Sequence, residues 1–211
     1  MLRGRGSRAA IAAALLIGLV AVLVGARFAA GPPPALKRPI DWSRLPSLQE
    51  GPPPWGTDSA TLARRLPSLG LKGLGHEELA FHIHAHLDVY VDGKHVPVPR
   101  YIGIHIDEAN IQSSFITQLH THLPDGIVHV ESARVLRYQL GQFFGEWGVR
   151  LTSKCLGSFK GSCDNLQWWV DGKRRGGNPA DLVLKSHQEI VISVGKPPAR
   201  VPKKYAFPAG Y

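Results

Sequence analysis

The chain has 211 residues, which accommodates one compact domain with appendages and excludes a large multidomain enzyme. Its formal charge of +9 is unevenly spread: residues 1–75 carry +7, residues 76–149 carry −5 and residues 150–211 carry +7. An acidic middle third with eight of the ten histidines between His82 and His129 excludes a uniformly basic nucleic-acid binder, and a complement of two cysteines excludes a disulfide-dense miniprotein.

Arg3, Arg5 and Arg8 precede an uncharged run from Ala9 to Ala26 rich in Leu, Ile and Val. A helix of these eighteen residues would be roughly 27 Å long, close to the hydrocarbon core of about 30 Å. Residues 9–26 are therefore expected to be a transmembrane anchor or a signal peptide, behind a cytoplasmic basic flank at 1–8. Val24-Gly25-Ala26 offers the small residues a signal peptidase accepts, so anchor and cleaved signal both stay open. Either way the rest of the chain is expected outside the cytoplasm, tethered to the cell membrane by a single pass or secreted.

Residues 27–75 are punctuated by Pro32-Pro33-Pro34 and Pro52-Pro53-Pro54 and read as a Pro-rich linker, with one or two helical turns over Thr61–Leu66 before Pro67. The folded domain is expected over 76–196. It begins with a strand at 81–91 in which Phe81, Ile83, Ala85, Leu87, Val89 and Val91 alternate with His82, His84, His86, Asp88 and Tyr90, the period of a half-buried strand. Asp92-Gly93 supplies a turn, and Val96–Val98 can return as a hairpin partner.

Same-face neighbours on a strand lie about 6.5–7 Å apart, so adjacent imidazoles can reach one ion at about 2.0–2.1 Å. A second cluster, Leu119-His120-Thr121-His122, leads through a Pro124-Asp125-Gly126 turn into Val128-His129-Val130-Glu131. A hairpin over 118–132 would put His120, His122, His129 and Glu131 on one side. Imidazoles with a carboxylate and without thiolates suit Zn(II), Cu(II), Fe(II) or Ni(II), with Zn or Cu the leading identities. The expected ligands are His84, His86, His120 and His122, followed by His82, His129 and Glu131. His76, His95, His105 and His187 read as ordinary polar residues.

Leu140, Phe143, Phe144 and Trp147 form one apolar stripe at helical spacing, and Gly148 sits where a helix C-cap belongs. Cys155 and Cys163 in an exported chain read as a structural disulfide that closes a short loop, worth about 2–3 kcal/mol in the chain-entropy model. Strands follow at 166–170, before an Asp171-Gly172 turn, and at 189–194. Residues 197–211 form a basic, Pro-rich tail expected to pack loosely. The tail and Lys173-Arg174-Arg175 could touch an anionic envelope component, while nucleic acid is excluded as a partner by compartment.

Trp169-Val170-Asp171-Gly172-Lys173 with Leu182–Lys185 and Gln188–Ile192 resembles the later half of β-grasp domains. The fold expected is thus α+β: a small mixed, β-grasp-like sheet with one amphipathic helix and an inserted His-bearing hairpin, preceded by an N-terminal transmembrane helix. The segments Phe81–Leu87, Leu119–His122, Gly126–Ser132 and Leu140–Phe144 with Trp147 also resemble a family of exported or membrane-anchored bacterial and archaeal proteins. That resemblance implies an extracytoplasmic location and a histidine-rich site, with no established reaction. Members carry an acidic residue directly after the second H-x-H, where this chain has Leu123 and only Asp125 nearby.

Three functions follow. The first is a membrane-anchored extracytoplasmic metal-binding protein. The second is a metal-dependent enzyme with an open coordination position and Glu131 as general base. The third is a structural or partner-binding ectodomain.

Overall fold

The computed structural model describes residues 39–211; the anchor or signal expected at 9–26 and its basic flank lie outside the described residues. Among the described residues no helix is long and apolar enough to cross a membrane. In chain order the elements are α1 (Ser59–Leu69), β1 (Phe81–Val91), β2 (Lys94–Val96), β3 (Ile104–His105), β4 (Phe115–Ile116), β5 (Leu119–His120), β6 (Ile127–Ser132), α2 (Leu140–Trp147), β7 (Gln167–Val170), β8 (Lys173–Arg175) and β9 (Glu189–Val194).

β1 organises them because its strict alternation serves two environments. Ala85, Leu87 and Val89 are fully buried in the core, and the histidines turn to the other side of the sheet. Its first half pairs antiparallel with β6 and its last three residues with β2, while β9 runs parallel along the opposite edge. The resulting mixed sheet has the order β5-β6-β1-β9-β7-β8, with β2 on the β6 side of β1. β3 and β4 form a separate two-stranded ribbon.

α2 occupies the span its apolar stripe predicts. Phe143, Phe144 and Trp147 join Ala85, Leu87, Val130, Ile190 and Ile192 in one hydrophobic cluster, where burial of each large side chain is worth about 1.5–3 kcal/mol. The Gln139 N–H donates to Gln142 Oε1 at 2.7 Å at the helix start, and Gly148 closes the other end in the left-handed conformation at φ 76°. Cys155 and Cys163 form the expected disulfide.

Residues 39–75 differ from the spacer that their prolines suggest. Trp42, Trp55, Leu62, Leu66, Leu69 and Leu71 are all part of the core, so this segment is a structural layer of the domain and gives it a second helix. α1 runs past the expected boundary at Leu66 and keeps Pro67 in its last turn. Asp58 caps it by accepting from the Thr61 N–H. Arg65 ties it to its surroundings: the guanidinium is fully buried and donates to Asp58 Oδ2 at 3.0 Å, the Ser47 carbonyl at 2.9 Å and the Glu146 carbonyl on α2 at 3.1 Å. The tail also packs more closely than its composition suggests, since Tyr205 and Tyr211 both lie on the histidine face of the sheet.

Candidate metal centre

Strand register assembles the site. The β1–β6 ladder sets His82 opposite Glu131 and His84 opposite His129, and the β5–β6 ladder sets His120 opposite His129. Directly opposed residues share a face with Cβ atoms about 4.5–5.5 Å apart, so three strands deliver four imidazoles and a carboxylate side by side. His122, two residues beyond His120, returns to the same face. The turn that brings β6 back requires glycine: Gly126 has φ 79°, and a Cβ there would lie 2.7 Å from the Leu87 carbonyl oxygen.

Glu131 lies at the centre. Its Oε1 is 3.1 Å from His82 Nε2, 3.5 Å from His129 Nδ1 and 3.7 Å from His120 Nε2. The other oxygen, Oε2, is buried with no hydrogen-bond partner, as is His129 Nδ1. His120 Nδ1 lies 3.0 Å from the Thr117 carbonyl, which can only accept, so Nδ1 carries the proton and Nε2 presents its lone pair. That Nε2 is 3.2 Å from His122 Nε2. Two nitrogens bound at about 2.0–2.1 Å to one tetrahedral ion would be roughly 3.3 Å apart, so this pair already has ligand spacing. One donor atom from each of His120, His122, His129 and Glu131 falls within 4.8 Å of all the others, and the same is true of His82, His84 and His129.

The surroundings keep these groups in the states a metal needs. Burial pushes the His120 imidazole down to about 4. Burial, with the neighbouring His129 and His82 rings, does the same to His84, also to about 4. Both are neutral bases at neutral pH. Burial alone would raise Glu131, but its contact with His129 and the nearby His120 and His82 rings outweigh that and hold the carboxyl below its usual range. These donors, desolvated and partly unpartnered, fit a cation that nitrogen and oxygen ligands suit.

His86, expected among the ligands, stands apart from this set. Its Nε2 lies 2.9 Å from the Asp125 carbonyl and its Nδ1 3.0 Å from Glu189 Oε2. The carbonyl can only accept, so the second proton is shared between Nδ1 and the carboxylate and neither nitrogen has a free lone pair. Its remaining acidic neighbours, Asp88 and Glu189, form a third group with it, on the β1–β9 side. Asp125 itself caps the hairpin turn by accepting from the Ile127 N–H at 3.0 Å and belongs to none of the three groups. Leu123 is exposed, away from any ligand role.

Several site residues were beyond sequence reasoning. Glu77 Oε1 lies 3.2 Å from His122 Nε2, Tyr205 stacks on His86 with ring centroids 3.7 Å apart, and Tyr211 leans on His84 at 4.5 Å. Glu189 opens the last strand, and its parallel pairing with β1, which brings it to His86 across 103 residues, carries no local mark.

Fold and site together define a mixed α+β domain whose sheet carries buried His/Glu clusters that could hold a metal ion. Comparison with protein-family models, with curated proteins and with solved structures finds no match to this chain.

Proposed function

We propose that this protein is a membrane-anchored, extracytoplasmic protein that binds a transition-metal ion, Zn or Cu, through the histidine face of its sheet. The observation that carries the reading is the 3.2 Å approach of His120 Nε2 to His122 Nε2 beside Glu131 Oε1. Two imidazole nitrogens at ligand spacing beside a buried carboxylate form a donor set that one cation would satisfy. Glu131 stands among the donors instead of across an open position from them, which supports a ligand role over that of a general base.

The Cys155–Cys163 disulfide fits an oxidising compartment, and the apolar run at 9–26 behind three arginines fits a chain inserted at its N-terminus. The β-grasp-like reading is supported by the strand order β2-β1-β9-β7-β8 with β1 and β9 parallel and α2 preceding β7. On that reading β3 to β6, with the His-bearing hairpin, are an insertion between the first hairpin and the helix.

Metal content of the purified full-length protein tests the function. Wild type is expected to retain Zn or Cu, and His120→Ala/His122→Ala to lose the ion that this pair holds and so to retain less; equal, negligible metal in both would end the reading. For the location, protease added outside intact cells is expected to remove the domain, and its protection would place it elsewhere.

A further inference from the structure

One ion cannot use all the donors that the histidine face presents. A transition-metal ion of this kind takes three or four protein ligands, and catalytic or exchangeable sites leave one position open. Yet six donor residues converge here, in two groups that share His129. The first, His120, His122 and Glu131 with His129, spans β5 and β6. The second, His82 and His84 with His129, spans β6 and β1. Ring centroids in the second group are 4.5 Å apart for His82–His84 and for His84–His129, a packing as close as the 4.6–5.1 Å between His129 and the rings of the first group.

We propose that His82, His84 and His129 form a second ion site adjoining the first, so that this face holds two transition-metal ions with the Glu131 carboxylate between them. The proposal rests on the metal-binding reading above and sets its stoichiometry. A division into His120, His122 and Glu131 for one ion and His82, His84 and His129 for the other gives each three protein ligands. Glu131 can serve both, because Oε1 approaches His82 of the second group as closely as 3.1 Å and His120 of the first at 3.7 Å, while the buried Oε2 has no partner. Carboxylate-linked pairs of this kind hold their ions about 3.5–4 Å apart.

The charge arrangement agrees with two cations. Glu77 beside His122 adds a second negative group to Glu131 at the first ion. Access exists at both ends of the row, since the side chains of His82 and His122 are 35% and 38% exposed while the rings between them are buried.

The test is a titration of chelator-stripped, full-length protein with Zn(II), read as ions bound per chain after gel filtration. Two ions are expected in wild type, one in His82→Ala/His84→Ala and one in His120→Ala/His122→Ala. With Cu(II), the integrated electron paramagnetic resonance of the wild type is expected to fall below that of two isolated ions, and each double variant to give one full, uncoupled signal. One ion in wild type would overturn the second site and leave the metal reading standing, whereas none would overturn both. Two ions retained in His82→Ala/His84→Ala would place the extra ion elsewhere and also overturn the proposal. Should that variant lose its folded circular dichroism, His82→Ala alone, at a partly exposed position, is expected to weaken the second binding event about tenfold or more, and an unchanged second event would overturn the proposal.

Discussion

His84 and His86 stand two residues apart on the same face of β1, equally buried, and the fold makes one a neutral base and the other half of a charged pair. Burial lowers both. Around His84 the neighbours are the imidazoles of His129 and His82, which add to the effect of burial and bring it to about 4. Around His86 the neighbour is the Glu189 carboxylate at 3.0 Å, and that contact outweighs burial and raises the imidazole above its ordinary value. Glu189 is itself raised by burial, so the two share one proton. The partner across the ladder decides: β6 offers His84 another histidine, and β9 offers His86 a carboxylate. One half of the strand can therefore bind a metal, while the other half ties β1 to β9 and to the hairpin turn at Asp125.

The largest expected effect separates the two halves by metal affinity. His120→Ala should weaken Zn(II) binding by more than about 100-fold, since loss of a direct ligand costs more than the 10–100-fold typical of groups behind the ligands. His86→Gln should change it by less than about twofold. Competition with a chromophoric chelator measures both, and a loss in His86→Gln comparable to that in His120→Ala would erase the distinction.

Stability should show the reverse ranking. Glu189→Gln replaces a charged acceptor of the His86 Nδ1 proton by a neutral one in a buried setting, which should cost about 1.5–3 kcal/mol in urea unfolding and leave the metal stoichiometry unchanged. A variant that unfolds like wild type would mean that the shared proton contributes nothing.

The pH dependence of the metal-free protein sharpens the contrast further. An imidazole whose folded value is about 4 takes a proton more readily in the unfolded chain. His84 and His120 should each lower stability from the ordinary histidine value of 6.5 down to about 4, by at most about 1.4 kcal/mol per pH unit. His86, raised in the folded state, acts in the other direction: its contribution is fully present below 6.5 and fades as pH rises through its folded value. Ring-nitrogen chemical shifts at pH 6 should show His84 neutral and His86 protonated, and identical titrations of the two would contradict the account.

What the sequence disclosed follows from period. Alternation marked β1, and it set His129 and Glu131 on one face of β6, with His120 opposite His129 on the short β5–β6 ladder. The stripe of Leu140, Phe143, Phe144 and Trp147 marked α2 for the same reason. The N-terminal layer was illegible because its core residues, Trp42 and Trp55 among them, sit singly between prolines, and because Pro67 inside the last turn of α1 reads as a stop. The His86–Glu189 contact was illegible because only the parallel pairing of β1 with β9 brings that carboxylate beside the ring.

The smallest effect concerns the tail. Tyr205 stacks on the His86 ring, centroids 3.7 Å apart and planes within 9°. An aromatic pair of this kind contributes about 0.5–1.5 kcal/mol beyond buried area, and a ring above a cation gains further from its electron-rich face. Tyr205→Leu keeps most of the apolar contact and removes both terms, so its cost should be about 1 kcal/mol at pH 6. Because the added attraction exists only while His86 is charged, the cost should shrink as pH rises through the raised His86 value. In Glu189→Gln, where the proton on His86 is held less tightly, the same decline should begin at lower pH. A cost independent of pH in both backgrounds would show that the tail is held by apolar contact alone and does not sense the charge beneath it.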